Sequence, residues 1–450
     1  MSLLPRPSAA RAAAAAAAAA TAPSSSRGFA TSSLLLAAAK GKAPKAPAKK
    51  KASSFAKKPP AAKSGSGGRA SDITLRYVEA RPPPDLGDFV RFHPESLIPS
   101  NIGRPSTFPR QTIEQLRTFG LPRKLSKDLD SPGGPTSVVR QCTLDMAQRL
   151  DGIKSGKKAA KWVLAGEKGS GRSTLLLQTA SYALESGWIV LYVPHASEWI
   201  NSSSPYRYSP STSTFHQPAL ASKLLGQLLS VNANALSSVT LPKSVQLEDG
   251  REVSQGTNLA EVAKMGRNED VAVGVLDAVI GALAQQSEHP LLVAIDEAQT
   301  LFSRSAYRTP DNEPVESYHL STPLLFLDLI AGRKPFTSGA ILTSLSNSVP
   351  SYPFTPTLSS ALSLPTTEPL TPYTPLEGVH HAHASLLEKI DVDGLSTAEA
   401  KGLFELAARK GWSRATGDEG FIASLIAAGG NTGEFARGLS RTLVAAPAEL

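Results

Sequence analysis

The sequence predicts an α/β protein, a parallel sheet flanked by helices and carrying a phosphate-binding loop of the kind found in P-loop NTPases. Three observations predict it. An apolar run at 162–165 enters a glycine-rich turn at 166–171, and a helical pattern over 174–186 follows at once. A second apolar run at 291–295 ends in the acids Asp296 and Glu297. Between and beyond these, strand-like runs alternate with helix-like stretches, which implies a parallel sheet covered on both faces.

Residues 1–29 are rich in Ala, Arg and Ser and contain no acid, the composition of a mitochondrial transit peptide. RGF at 27–29 before ATS resembles a processing-peptidase site, so the expected location is the mitochondrial matrix. Residues 30–84 form a basic extension. Thirteen of the 47 Lys and Arg precede Asp72, the first acid, and the remaining 34 basic and 38 acidic residues leave the rest slightly acidic. Lys/Pro/Ala text of this kind cannot build a core and is expected to be disordered alone. It suits neutralisation of RNA phosphates, a solvated linker being the alternative. A single cysteine, Cys142, excludes an internal disulfide and a multi-thiolate metal site. No run approaches the roughly 18 apolar residues of a membrane helix.

Prolines at 82, 83, 84, 94, 99, 105 and 109 predict an extended arm over 85–135 with short helices. The nucleotide-binding core is placed at 136–348. It begins with a helix near 136–152, on a stripe of Val138, Val139, Cys142, Met146 and Leu150. Strands are expected at 162–166, 188–194, 291–295 and 339–345, and helices at 174–186, 219–232 and 259–287. Residues 201–218 read as a loop of Ser and aromatics. Residues 349–376 contain seven prolines among Ser and Thr, which predicts a loop without regular structure. Residues 377–450 are expected to form a small C-terminal helical lid subdomain. It would hold a short strand at 388–394, a helix opened by a Ser396 and Glu399 capping box, and helices at 419–428 and 433–445.

The turn reads Gly166, Glu167, Lys168, Gly169, Ser170, Gly171, Arg172, Ser173, with Thr174 next, against the pattern G-x-x-x-x-G-K-[ST]. The glycines let backbone N–H groups converge on one anion, and the helix N-terminus adds its positive end. Arg172 stands where the lysine belongs. Either its guanidinium still binds the β/γ-phosphates, with weak or no turnover because the group is bulkier, or the site has decayed and Arg172 lies on the surface. Lys168 is a second phosphate neighbour. Asp296, ending its strand, would hold Mg²⁺ together with Ser173. Glu297 stands where a residue polarises the attacking water, if the site is active. Ser344 and Ser346 would lie near the terminal phosphate. Arg304 and Arg308 read as solvated charges, and His380, His381 and His383 have no assigned role. Tyr206, Tyr208 and Phe215, with Arg207 between, either stack on bases or pack an insertion onto the core.

GEKGSGRST at 166–174, FHQPALAS at 215–222, LLVAIDEAQTLF at 291–302 and SGAILTSLS at 338–346 together resemble the death-associated protein 3 family, in a fungal-type member, over about residues 85–445. The resemblance implies a fold similar to the AAA+ ATPases and a structural place in the head of the mitochondrial small ribosomal subunit. Its implied partners are small-subunit rRNA and ribosomal proteins, with large-subunit contacts nearby, and its implied cofactor is a guanine nucleotide. The residues leave the base open: there is no N-K-x-D sequence, and the Asp296 and Glu297 pair is ATPase-like. The cofactor is therefore GTP/GDP or ATP with Mg. The expected function is a mitoribosomal component that binds a purine nucleotide with weak or no hydrolysis. The alternatives are an AAA+-like ATPase or GTPase acting as chaperone or assembly factor, and a signalling NTPase.

Overall fold

The structure is a computed structural model and describes residues 86–122, 126, 134–366, 371, 373–413 and 417–441. The transit-peptide and basic-extension expectations (1–29 and 30–84) lie outside the described residues. So do parts of the arm and of the 349–376 segment, and the end of the last expected helix.

Five strands, numbered in chain order, build the central sheet: β1 (Ala159–Ala165), β2 (Ile189–Val193), β3 (Leu291–Ile295), β4 (Gly339–Ser344) and β5 (Glu388–Asp391). All neighbours are parallel and the spatial order is β5-β1-β4-β3-β2. Every residue of β2, β3 and β4 is buried, as expected where helices cover both faces. The register sets Ile295 opposite Thr343 and Ser344 opposite Leu164. The carboxyl ends of β1, β3 and β4 therefore share one edge, the edge at which open parallel sheets bind ligands.

The crossover from β1 to β2 runs one way across the sheet, and those from β2 to β3 and β3 to β4 run back. Right-handed crossovers then place their helices on opposite faces. Arg172–Glu185 packs with Gln141–Gly156 against one face, while Glu269–Gln285 packs with Pro218–Ser238 and Ser321–Ala331 on the other. β2 is an edge strand, and an edge leaves backbone groups unpaired. Asn232 meets them: its carboxamide accepts from Val190 N–H and donates to Val190 O, both at 2.9 Å. It sits where the Pro218–Ser238 helix leaves helical geometry.

Several expectations are corrected. Residues 136–138 are a strand, Thr136–Val138, paired with Pro105–Thr107, and the helix starts only at Gln141. The 201–218 loop contains a hairpin, Arg207–Ser209 with Thr214–His216. The 259–287 helix is two, Leu259–Met265 and Glu269–Gln285, because the Asn258 and Asn268 side chains each cap a new N-terminus. Ser321–Ala331 is a helix that was not expected. Pro356–Leu362 is a helix inside the 349–376 segment, with the Thr355 hydroxyl accepting from Leu358 N–H and Pro356 in the first turn.

β5 pairs with β1, so the expected 377–450 subdomain begins with a strand of the central sheet. The separately packed helices are Thr397–Arg409, Gly417–Ala428 and Thr432–Arg441, around a small apolar cluster of Ala400, Ala407, Ala428, Phe435 and Leu439. The capping box at Ser396 and Glu399 is formed in both directions. Among the described residues no helix is long and apolar enough to cross a membrane.

Candidate functional site

The loop between β1 and the Arg172–Glu185 helix turns on three glycines in the left-handed region: Gly166 (φ 142°), Gly169 (φ 92°) and Gly171 (φ 100°). Gly171 is the helix N-cap and has no side chain to occupy the first-turn N–H groups. The loop carbonyls are engaged instead. Asn431 Nδ2 donates to Lys168 O (2.8 Å), Gly433 N–H to Gly169 O (2.8 Å), and Thr432 Oγ1 and Arg140 Nη1 to Ser170 O (3.2 and 2.7 Å). The Ser170 N–H donates within the loop to Glu167 O (3.2 Å), and carbonyls tied down in succession turn the other loop N–H groups towards the concave side where an anion fits. Nor can the loop's glycines be replaced freely. A Cβ on Gly166 would lie 2.8 Å from Val392 O, and one on Gly169 2.4 Å from Asn431 Oδ1.

Arg140 joins this loop to the rest of the site. Besides Ser170 O, it donates to Asp393 O (2.7 Å) and Gly394 O (2.9 Å) after β5 and pairs with the buried Glu399 at 3.3 Å. Glu399 also accepts from Gln141 N–H (2.8 Å).

Arg172 is not a surface residue: it is 6% exposed. Its Nη2 donates to Glu167 O (3.3 Å) and to Asn347 Oδ1 (2.9 Å), while Nη1 is buried without a partner. Burial pushes its pKa down, and the nearby Asp296 charge pulls it back. Lys168 is exposed, and Glu167 likewise. The Ser170 hydroxyl is buried without a partner.

Asp296 follows β3 and is buried beside the loop. Burial raises its pKa, partly offset by the neighbouring Ser173 and Ser344 hydroxyls and by the Glu297 N–H, which donates to Asp296 Oδ1 at 2.9 Å; the Ser344 hydroxyl itself is buried without a hydrogen-bond partner. Ser173, Asp296 and Ser344 are thus brought together. The Ser173 hydroxyl and the buried Asp296 carboxylate, neighbours at the glycine loop, are oxygen donors of the kind that fits Mg²⁺. Glu297 is adjacent but differently held. Its backbone is left-handed (φ 59°), and its carboxylate accepts from Ser197 Oγ (2.5 Å) and meets His195 Nδ1 (3.1 Å). Burial pushes the Glu297 pKa up, the His195 and Ser197 hydrogen bonds outweigh this, and the net shift is down. The Glu297 hydrogen bond raises that of His195.

Ser346 is tied by its backbone to the Gln299 carboxamide (3.0 and 2.8 Å), so the polar side chain reaching the loop from beyond β4 is Asn347. Sequence reasoning missed Asn347, Arg140, His195 and the contacts of Asn431 and Thr432. Of these only Asn347, one residue past Ser346, carried a local signal. A cavity of about 650 Å³ adjoins the loop, with Gly166, Arg172, Asn347, Tyr352, Phe354 and Lys389 in its lining. Tyr206 packs edge-on and Tyr208 tilted against Phe215 of the hairpin, Arg304 pairs with Glu316, and Arg308 donates to Asn312 O. His380 and His383 are buried away from the loop, and burial lowers both pKa values. Among the described residues no three His, Cys, Asp or Glu are grouped to hold a metal.

Residues 137–438 match the family described as mitochondrial ribosomal death-associated protein 3. The chain is 24% identical over 365 residues to the small ribosomal subunit protein mS29 of Neurospora crassa, covering 77% of this chain and 76% of that protein. It is 25% identical to the mS29 proteins of Mus musculus and Bos taurus, over 54% and 55% of this chain and 63% of each of theirs.

Proposed function

The chain belongs to the mitochondrial ribosomal death-associated protein 3 family, and from that premise we propose that it is a structural protein of the mitochondrial small ribosomal subunit that holds a purine nucleotide. It works in the mitochondrial matrix, and its partners are small-subunit rRNA and ribosomal proteins. Its relatives in fungi and mammals carry the name of a small-subunit ribosomal protein, which supports the ribosomal part of the reading.

One observation carries the nucleotide part: the buried, half-unpartnered Arg172 beside a glycine loop whose carbonyls at 168, 169 and 170 are held by distant residues. Buried polar groups are nearly always satisfied, and a phosphate oxygen satisfies this one. The sheet order, with the loop strand β1 next to β4 and the acid strand β3 beyond it, supports a P-loop core similar to the AAA+ ATPases. The loop residues 166–174, with Asp296 and Ser344, would take GTP/GDP or ATP, and Ser173 and Asp296 the Mg²⁺ that offsets phosphate charge. A nucleotide bound only by the folded chain stabilises it by about 3–4 kcal/mol at 100 to 1,000 times its Kd, so its role here is that of a folding cofactor.

Sedimentation of the tagged chain from mitochondrial lysate, in high salt with magnesium, tests the ribosomal reading. It is expected with the small subunit, and Gly171→Val is expected to shift it to free fractions and lower its Tm. A wild-type chain running free of intact subunits contradicts the reading. Glu297 beside Asp296 favours a second reading, an AAA+-like ATPase or GTPase acting in assembly. The His195 and Ser197 hydrogen bonds oppose it, since they occupy the carboxylate a water would need. Turnover by purified chain that is abolished in Glu297→Gln would establish that second reading.

A further inference from the structure

Arg172 is where this chain departs from the loop pattern, and its contacts give the departure a consequence. A guanidinium is a planar fork, broader than an ammonium and less able to shift between partners. Here Nη2 is tied to both walls of the site, to Glu167 O on the loop and to Asn347 Oδ1 beyond β4. The side chain therefore spans the gap between the loop and the carboxyl end of β4. In loops of this pattern the backbone cradles the first two phosphates, and the basic residue reaches towards the last two. The spanned gap is the one a third phosphate has to enter.

The loop cannot widen to make room. Its carbonyls at 168, 169 and 170 are held by Asn431, Gly433, Thr432 and Arg140. Gly166 and Gly169 sit against Val392 O and the Asn431 side chain. One prong of the fork stays available: Nη1 is buried, unpartnered, and belongs to a residue 94% removed from solvent. Ser170 Oγ is a second buried polar atom without a partner at the same turn.

We propose that Arg172 makes the loop selective for a nucleoside diphosphate over the matching triphosphate. Nη1 takes an oxygen of the second phosphate, while the fork, anchored on Asn347, fills the place of the third. This rests on the nucleotide reading above. A triphosphate has to break the bond between Arg172 and Asn347, and giving up one hydrogen bond of a charged group costs about ten-fold or more in affinity.

Isothermal titration of the purified full-length chain, in magnesium buffer, compares ADP and GDP with non-hydrolysable triphosphates of the same bases. The wild type is expected to prefer the diphosphate about ten-fold or more. Arg172→Lys is expected to bring the two classes close to parity while diphosphate binding persists. Asn347→Ala frees the fork without altering the loop and is expected to narrow the ratio as well, which keeps the test sharp should the lysine variant fold poorly. Equal or tighter triphosphate binding by the wild type overturns the selectivity, as does a ratio that neither variant changes. If a cooperatively folded wild type binds neither class, the nucleotide reading falls, and the selectivity with it.

Discussion

The two sides of the site are held by opposite means. On the loop side, backbone carbonyls are gripped by residues far away in the chain, Arg140, Asn431, Thr432 and Gly433, and Arg172 Nη1 is buried without a partner. On the Glu297 side it is the functional side chain that is gripped, by His195 and Ser197. Electrostatic preorganisation towards an incoming charge favours binding. A water-activating carboxylate already bonded to its neighbours is poorly placed to take a proton. On the function proposed above, the loop side suits holding a phosphate, and the Glu297 side is poorly suited to breaking one.

The comparison is broken most severely at Arg140. Arg140→Met takes a donor from three backbone carbonyls, of which Ser170 O keeps Thr432 Oγ1, and leaves Glu399, 3% exposed, without its cation. Removing one partner of a buried pair costs about 3–5 kcal/mol, so chemical denaturation should show a loss of that size, with nucleotide affinity falling alongside. A loss confined to stability, with affinity intact, would separate Arg140 from the loop. Asn431→Ala comes next. It removes the donor to Lys168 O and the acceptor for Gly433 and Glu434 N–H at the head of the last helix. The expected cost is about 1–2 kcal/mol, read as a lower Tm that added nucleotide recovers in part.

The smallest effect sharpens the Glu297 side. His195 has a raised pKa, so its contribution is full below the ordinary value of 6.5 and is lost as pH rises through the raised one. Glu297 has a lowered pKa, so its contribution is full above the ordinary 4.5 and is lost as pH falls through the lowered one. The pair is worth most between those two ordinary values. Because His195 is about a third exposed, the gain is about 1 kcal/mol or less. Denaturation of wild type and His195→Ala should differ most near pH 5–6 and converge above pH 8. A difference independent of pH would mean that packing, and not the ion pair, holds Glu297.

What was legible in the sequence was whatever one segment decides by itself. β2 and β3 are uninterrupted apolar runs, β1 and β4 carry apolar runs at 162–165 and 340–342, and Ser396 and Glu399 satisfy each other three residues apart. The Ser321–Ala331 helix escaped because its text, STPLLFLDLIA, is apolar nearly all round and shows no helical period. The Arg207–Ser209 hairpin escaped because Ser and Thr text hides strands that are held by backbone pairing and by Tyr206, Tyr208 and Phe215 leaning together. In the site, the glycines, Arg172, Ser173 and Asp296 were legible from pattern. Arg140 and Asn431 were not: the first stands 30 residues before its loop partner and the second 263 after. Only the fold brings them to the loop.

We propose that this ribosomal chain holds a purine nucleotide without consuming it. The most direct test is to purify the tagged chain with its small subunit, denature it, and identify what is released by mass spectrometry. The account predicts a stoichiometric purine nucleotide, unchanged in amount after hours at 37 °C and missing from a Gly166→Val variant. A wild-type chain that carries no nucleotide, or one whose bound triphosphate turns over steadily, would contradict it.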